Sequence, residues 1–248
     1  MTAIADRPVP ASGAPAVTPG LPMAMLAEVT HRCPLACPYC SNPVDLVRAS
    51  REIGADDWGR VFRQAADLGV LQVHISGGEP GARRDLAQIV GHARDAGLYV
   101  NLITSGIGIT RDRLIELDRA GVDHVQLSLQ GIRPDMADRI SGHPGSWDKK
   151  MAFSDWVTEI GFPLTINAVV HRQNMDRLPD MIDLAERLGA RRIEVATVQF
   201  HGWADRNRGA LMPTREQAEV ARQVVNAARV RLRGRMVIDY VPADHHAV

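Results

Sequence analysis

From residue 24 onward, short runs rich in β-branched and other apolar residues alternate with longer segments whose apolar positions recur every three or four residues. The short runs predict strands at 25–30, 70–75, 99–104, 124–129, 164–170 and 192–198. The longer segments predict helices at 56–68, 84–96, 111–120, 147–159, 178–188 and 215–232. In the second of these, Leu86, Ile89, Val90 and Ala93 fall on one helical face. Strand and helix in strict alternation imply parallel strands joined by crossover helices. The expected fold class is therefore α/β, a partial (β/α)6 barrel of parallel strands with outer helices. A doubly wound sheet is the alternative, because periodicity does not say whether the strands curl toward closure.

Parallel barrels collect function at the carboxyl ends of their strands. There the chain carries a cysteine-containing loop after the first strand and Ser76-Gly77-Gly78-Glu79-Pro80 after the second. Thr104-Ser105-Gly106 follows the third, Ser128-Leu129-Gln130 ends the fourth, and the fifth contains Asn167. Ser105 or Asn167 alone reads as a turn residue or a satisfied core polar group; their shared placement at strand ends reads as a site. Two glycines before Glu79 permit close backbone approach, and the carboxylate suits an ammonium group. Ser105-Gly106-Ile107-Gly108 imitates the start of a dinucleotide loop, but Arg111 stands where the third glycine belongs.

Composition narrows the class of partner. A chain of 248 residues with 45% hydrophobic and 23% charged positions can bury a substantial core, which excludes a disordered or fibrous protein. Basic and acidic residues balance at 29 each and aromatics reach only 4%, so neither a polyanion-attracting field nor a base-stacking surface is expected. No nucleic-acid partner follows. No apolar run suggests a membrane span, and residues 1–22 read as a flexible Pro/Ala-rich tail without a leader pattern, so the location expected is cytoplasmic. Residues 23–235 form the expected barrel, and 236–248 the start of a further C-terminal region. Only Lys149 and Lys150 among the basic residues are lysines, and side by side in a polar stretch they read as solvated surface. His245-His246, without a partner motif, is assigned nothing.

All three cysteines, Cys33, Cys37 and Cys40, fall on one loop. An odd number clustered this way points to metal ligation or redox chemistry rather than disulfides. A structural zinc needs a fourth ligand, and His31 is the only obvious one nearby. Three thiolates on a four-iron, four-sulfur cluster would instead leave one iron open to a substrate. With Tyr39 immediately before Cys40, the CxxxCx(aromatic)C spacing resembles that of the radical S-adenosylmethionine (SAM) superfamily.

That resemblance implies a [4Fe-4S] cluster on Cys33, Cys37 and Cys40, with SAM as the second cofactor. It places Gly77, Gly78 and Glu79 at the methionyl amino group and the main-chain carbonyl of Tyr39 at adenine. Ser105 stands at the same rim, and Ser128, Gln130 and Asn167 would meet the carboxylate or ribose. Longer stretches, among them CPLACPYCSNP (33–43), HISGGEP (74–80), NLITSG (101–106), HVQLSLQ (124–130) and NAVVHRQN (167–174), resemble the PqqE family of pyrroloquinoline quinone (PQQ) biosynthesis. Further matching segments lie at 192–199, Gly202-Trp203-Ala204, Asn207-Arg208 and 211–217.

This second resemblance implies an oxidoreductase that modifies a peptide. Reductive cleavage of SAM yields a 5′-deoxyadenosyl radical, which removes hydrogen from a glutamate γ-carbon of the precursor peptide PqqA; a carbon–carbon bond to a tyrosine ring follows. The carrier PqqD and a flavodoxin-type electron donor are the implied partners. Family members continue into a cysteine-rich SPASM domain with auxiliary clusters, whereas this chain ends at Val248, so SAM cleavage without completed crosslinking is the expectation for it. A non-catalytic fragment that binds the peptide or its carrier, or a zinc protein, is the competing reading.

Overall fold

The computed structural model describes residues 20–242. Seven parallel strands form one sheet in sequence order: β1 (Ala24–Glu28), β2 (Gln72–Ser76), β3 (Tyr99–Thr104), β4 (His124–Leu129), β5 (Leu164–Val170), β6 (Arg192–Thr197) and β7 (Val237–Val241). An unbroken order has no switch point, which sets aside the doubly wound alternative; the sheet is a half-barrel with helices around it. The helices are α1 (Ala55–Asp67), α2 (Leu86–Asp95), α3 (Arg111–Ala120), α4 (Pro134–Ser141), α5 (Ser146–Ile160), α6 (Leu178–Arg187), α7 (Gly202–Arg206), α8 (Arg208–Leu211) and α9 (Arg215–Arg231). Local chemistry sets several of their ends. Thr110 caps α3 through its hydroxyl, and Thr214 with Gln217 forms a reciprocal capping box on α9.

Alternation along each strand separates the two faces of the sheet. Val73, Ile75, Val100, Leu102, Val125, Leu127, Ile166, Ala168, Ile193 and Val195 are fully buried in the main core. The intervening residues are polar: His74, Asn101, Gln126, Asn167 and Glu194. Register brings these together, with His74 beside Asn101, Asn101 beside His124, and Asn167 beside both Ser128 and Glu194. Asn101 donates to His74 Nδ1 (2.9 Å) and accepts from His124 Nδ1 (2.8 Å), while the Thr165 hydroxyl donates to His124 Nε2 (3.0 Å). Burial lowers the pKa of both histidines, and each neutral ring supplies the acceptor this chain of bonds needs.

Three features depart from the sequence-based expectation. β7 adds a seventh strand to the expected six: Ile238 is buried in the core, and Asp239 pairs with Arg192 of β6. Its short run follows a basic stretch that masks the pattern. α4, α7 and α8 are additional short helices, with proline in the first turn of α4 and left-handed Gly142 ending it. The third departure corrects a charge reading. Lys149 is exposed, but Lys150 is fully buried, because Phe153 and Val157 lie three and seven residues further along the same inward stripe of α5. Of the described residues, no helix is long and apolar enough to cross a membrane. The 1–22 tail and His245-His246 fall almost entirely outside the described residues.

Arg83 fixes the ends of the long loop that follows β1. Its side chain is 5% exposed and donates to the carbonyls of Val29 (2.8 Å) and Ile53 (3.0 Å). It also grips both oxygens of Asp85, at 2.8 and 2.6 Å. Glu52 accepts from the Thr30 hydroxyl at 2.5 Å and from Arg32 at 3.2 Å. The Arg83 guanidinium holds the Asp85 carboxyl below its ordinary range. An Arg83→Met variant should lose roughly 2–3 kcal/mol at neutral pH, since the buried Val29 carbonyl, the part-buried Ile53 carbonyl and a carboxylate lose their donor. The Asp85 contribution is complete above its unfolded pKa of about 3.9 and disappears as pH falls through the lower folded value. Urea unfolding of both proteins at pH 7 and in acid should therefore show the difference narrowing in acid.

Candidate active site

The cysteine loop is held against the carboxyl ends of the strands from three directions. From β2, Gly78 N–H donates to Thr30 O (2.6 Å) and Glu79 N–H to Arg32 O (2.7 Å). A Cβ on Gly77 would strike the Thr30 carbonyl, one on Gly78 would strike that of Arg32, and Gly77 has φ +133°. These glycines therefore permit contact between two loops, besides leaving the site open. From α4, Ser141 O accepts from Ala36 N–H at 2.8 Å. From the segment after β6, Ala204 N–H donates to Cys40 O (3.0 Å) and the Asn207 side chain to Pro38 O (3.2 Å), while Gly202 lies so close to Asn42 that a side chain there is excluded.

Held this way, the three thiols stand between two cavities. The inner one, about 470 Å³, lies within the half-barrel and is lined by residues of the strands and their ends, including Gly77, Gly78, Ser105, Ser128, Gln130 and Asn167. The outer one, about 390 Å³, is largely apolar and is bordered by Leu35, Ala36, Pro38, Leu46 and Trp203. Cys33, Cys37 and Cys40 border both. Burial raises all three thiol pKa values, that of Cys37 to about 11, where a hydrogen bond from Tyr39 partly opposes the effect. Neutral thiols near apolar walls gain most from a metal centre that stabilises the thiolates.

Most of the residues expected at the site meet here. Tyr39 lines the inner cavity, accepts from Gln130 Nε2 (2.8 Å), and its ring lies 5.6 Å from that of His171. Gln130 Oε1 and Asn167 Oδ1 are buried acceptors without a donor. Glu79 is placed differently from the other expected contacts. It is 1% exposed and does not line the cavity. Oε1 accepts from Gly81 N–H (2.9 Å) and the Thr104 hydroxyl (2.7 Å), and Oε2 from Ser105 N–H (2.7 Å) and the Ser105 hydroxyl (2.5 Å). Four donors satisfy the carboxylate from within the protein, so it shapes the site through Ser105.

Sequence reasoning missed His74, Gln126 and Glu194 on the cavity wall, and Lys150 behind it. A signal was available for the first three: polar residues alternate with the apolar ones inside strands otherwise suited to full burial. Burial raises the pKa of Glu194, reinforced by the neighbouring Asp239.

The donor set suits the two groups expected from the cysteine spacing. Among the described residues, no three His, Cys, Asp or Glu side chains stand close enough to hold one metal ion. A cluster takes its thiolates on separate irons and so asks for wider spacing than a single tetrahedral ion, and Cys33, Cys37 and Cys40 border both cavities. His31 Nδ1, on the zinc reading's fourth ligand, already accepts from Val47 N–H at 2.9 Å. On the inner side, the unpartnered Gln130 and Asn167 oxygens and the open Gly77-Gly78 backbone suit a polar ligand such as SAM.

Comparison with known proteins agrees with this geometry. The chain is 60% identical over 226 residues to a PqqA peptide cyclase of Rhizobium meliloti (strain 1021), covering 91% of this chain and 60% of that protein. It is 56% identical over 241 residues to a PqqA peptide cyclase of Ruegeria pomeroyi, covering 96% and 64% respectively. The chain thus spans about three fifths of the length of these relatives. In fold it resembles Streptococcus suis SuiB bound to S-adenosylmethionine, with a TM-score of 0.75 at 20% identity over 90% of this chain and 50% of that one. It also resembles anSMEcpe with bound AdoMet and Kp18Cys peptide, with a TM-score of 0.70 at 13% identity over 88% and 63%. The radical SAM superfamily description matches residues 27–185, which include the three thiols, the Gly-Gly-Glu turn and the polar ends of β3, β4 and β5. The chain belongs to the radical SAM superfamily, whose members work with a [4Fe-4S] cluster and SAM.

Proposed function

We propose that this chain is the SAM-cleaving part of a PqqA peptide cyclase, an oxidoreductase of PQQ biosynthesis that links a glutamate to a tyrosine in the precursor peptide PqqA. The observation that carries the reading is 60% identity to a PqqA peptide cyclase across 91% of the chain. When bound, the cluster and SAM supply a one-electron reductive cleavage that yields a 5′-deoxyadenosyl radical.

The chain's own residues bind and orient these groups. Cys33, Cys37 and Cys40 would hold the cluster. Gly77 and Gly78 would offer backbone to the SAM amino group and the Tyr39 carbonyl would meet adenine. Ser128, Gln130 and Asn167 would take the carboxylate and ribose. Glu79 acts from behind the rim: its carboxylate fixes the Ser105 backbone and hydroxyl that border the cavity. The outer cavity gives the thiols a largely apolar border. The polar concave face below them, from His74 to Glu194, would give a peptide side chain room beside the cofactor site. The carrier PqqD, a flavodoxin-type electron donor and a cytoplasmic location complete the reading.

Three outcomes test it. Reconstituted anaerobically and reduced with dithionite, the protein should convert SAM to 5′-deoxyadenosine and methionine, and Cys37→Ala should reduce that conversion to background by chromatography. Asn167→Ala should weaken SAM binding about tenfold, the worth of one hydrogen bond to a buried polar ligand, in an equilibrium binding measurement. With PqqA, PqqD and a chain carrying the remaining length of the relatives, mass spectrometry should find peptide lighter by two hydrogens. If SAM is cleaved and the peptide mass never changes, the superfamily assignment stands and the proposed substrate is wrong.

A further inference from the structure

The two most deeply buried charges beside the active site lie on either side of the Ser105 peptide. On one side is the Glu79 carboxylate, which accepts from the Ser105 N–H and hydroxyl. On the other is the Lys150 ammonium, fully buried, which donates to Ser105 O at 2.7 Å and to Ser128 O at 2.9 Å. Ser105 and Ser128 both border the cavity that holds the thiols. An ammonium has three N–H donors, and Lys150 uses two of them to tie the ends of β3 and β4 together; burial lowers its pKa to about 8, so the ammonium form still predominates at neutral pH.

Both buried charges therefore lie directly behind Ser105, and Lys150 also behind Ser128, in the wall of the cavity that Cys33, Cys37 and Cys40 border. Burial costs an ammonium several kcal/mol unless negative charge repays it. Glu79 supplies part of that compensation, and thiolates carrying a reduced cluster would supply more. A cation fixed in a low-dielectric wall stabilises the more negative, reduced form of a nearby redox centre and so raises its reduction potential.

We propose that Lys150 is a positioning residue whose buried charge, partly offset by Glu79 across the Ser105 peptide, raises the reduction potential of the cluster held by Cys33, Cys37 and Cys40. This rests on superfamily membership and on cluster binding, and is independent of the peptide substrate. It also separates two roles for the lysine. A strut needs only donors for two carbonyls, whereas the electrostatic role needs charge.

Anaerobic redox titration of the reconstituted chain, followed by electron paramagnetic resonance without peptide, distinguishes them. Lys150→Gln retains donors and removes the charge; its midpoint should fall below that of the parent at equal iron content. Glu79→Gln should shift the midpoint upward, and the double variant Glu79→Gln/Lys150→Gln should return it toward the parent. An unchanged midpoint in loaded Lys150→Gln overturns the proposal. If that single variant takes up no iron, the double variant decides: a midpoint equal to that of Glu79→Gln overturns the proposal, and a return toward the parent sustains it. Loss of fold by circular dichroism in both assigns Lys150 to the scaffold and overturns the redox role. Failure of peptide crosslinking leaves all these midpoints unaffected, so the two readings fail separately.

Discussion

Thr30 and Arg32 present their carbonyls to Gly78 and Glu79 at a separation that no side chain on Gly77 or Gly78 could share. That contact between the return from β1 and the turn after β2 fixes where the cysteine loop begins. Arg83, Glu52 and Thr30 fasten its stem, and Ser141, Ala204 and Asn207 fasten its far side. Such a loop has no regular ladder of its own to satisfy its backbone groups. It borrows partners from three neighbouring segments, and those bonds restrict the positions open to the thiols, which lowers the ordering cost of binding a ligand.

The same contact explains why Glu79 faces inward. With the glycine backbone committed to the cysteine loop, the chain turns and the carboxylate enters a nest of donors from Gly81, Thr104 and Ser105. Its charge then controls the position of the Ser105 backbone, whose carbonyl takes the Lys150 ammonium. The connection runs from the end of β2 through the end of β3 to α5. Each step is a short hydrogen bond within a wall that excludes water, where electrostatic interactions are strongest and an unpaired member would cost most.

Strand positions and the cysteine spacing were legible because both are local patterns. Alternating apolar runs locate β2 to β6, and the aromatic before Cys40 marks the loop without any knowledge of the fold. What was hidden depends on which face a residue occupies. Lys150 beside Lys149 looks like a surface charge run, and only its spacing from Phe153 and Val157 places it inside. β7 looks like the tail of a basic segment until Ile238 meets the core and Asp239 meets Arg192. Glu79 reads as a ligand-facing carboxylate because sequence gives its neighbours along the chain, while its donors come partly from Thr104 and Ser105, on the next strand end.

The concave face shows how a parallel sheet can serve two environments. Helix-facing positions are Val, Ile, Leu and Ala, as a buried sheet requires. Inward positions instead carry His74, Asn101, Gln126, Thr165, Asn167 and Glu194, a composition that would be costly in a closed, side-chain-filled barrel. Hydrogen bonds between His74, Asn101, His124 and Thr165 satisfy the lower layer from within the protein. Toward the carboxyl ends the bonding is incomplete: the Asn167 and Gln130 oxygens have no donor. Satisfaction therefore decreases from the base of the sheet to the thiols. A scaffold needs its polar groups paired, whereas a binding site keeps some unpaired for its ligand, and the change from one condition to the other marks where the barrel stops being structure and becomes site.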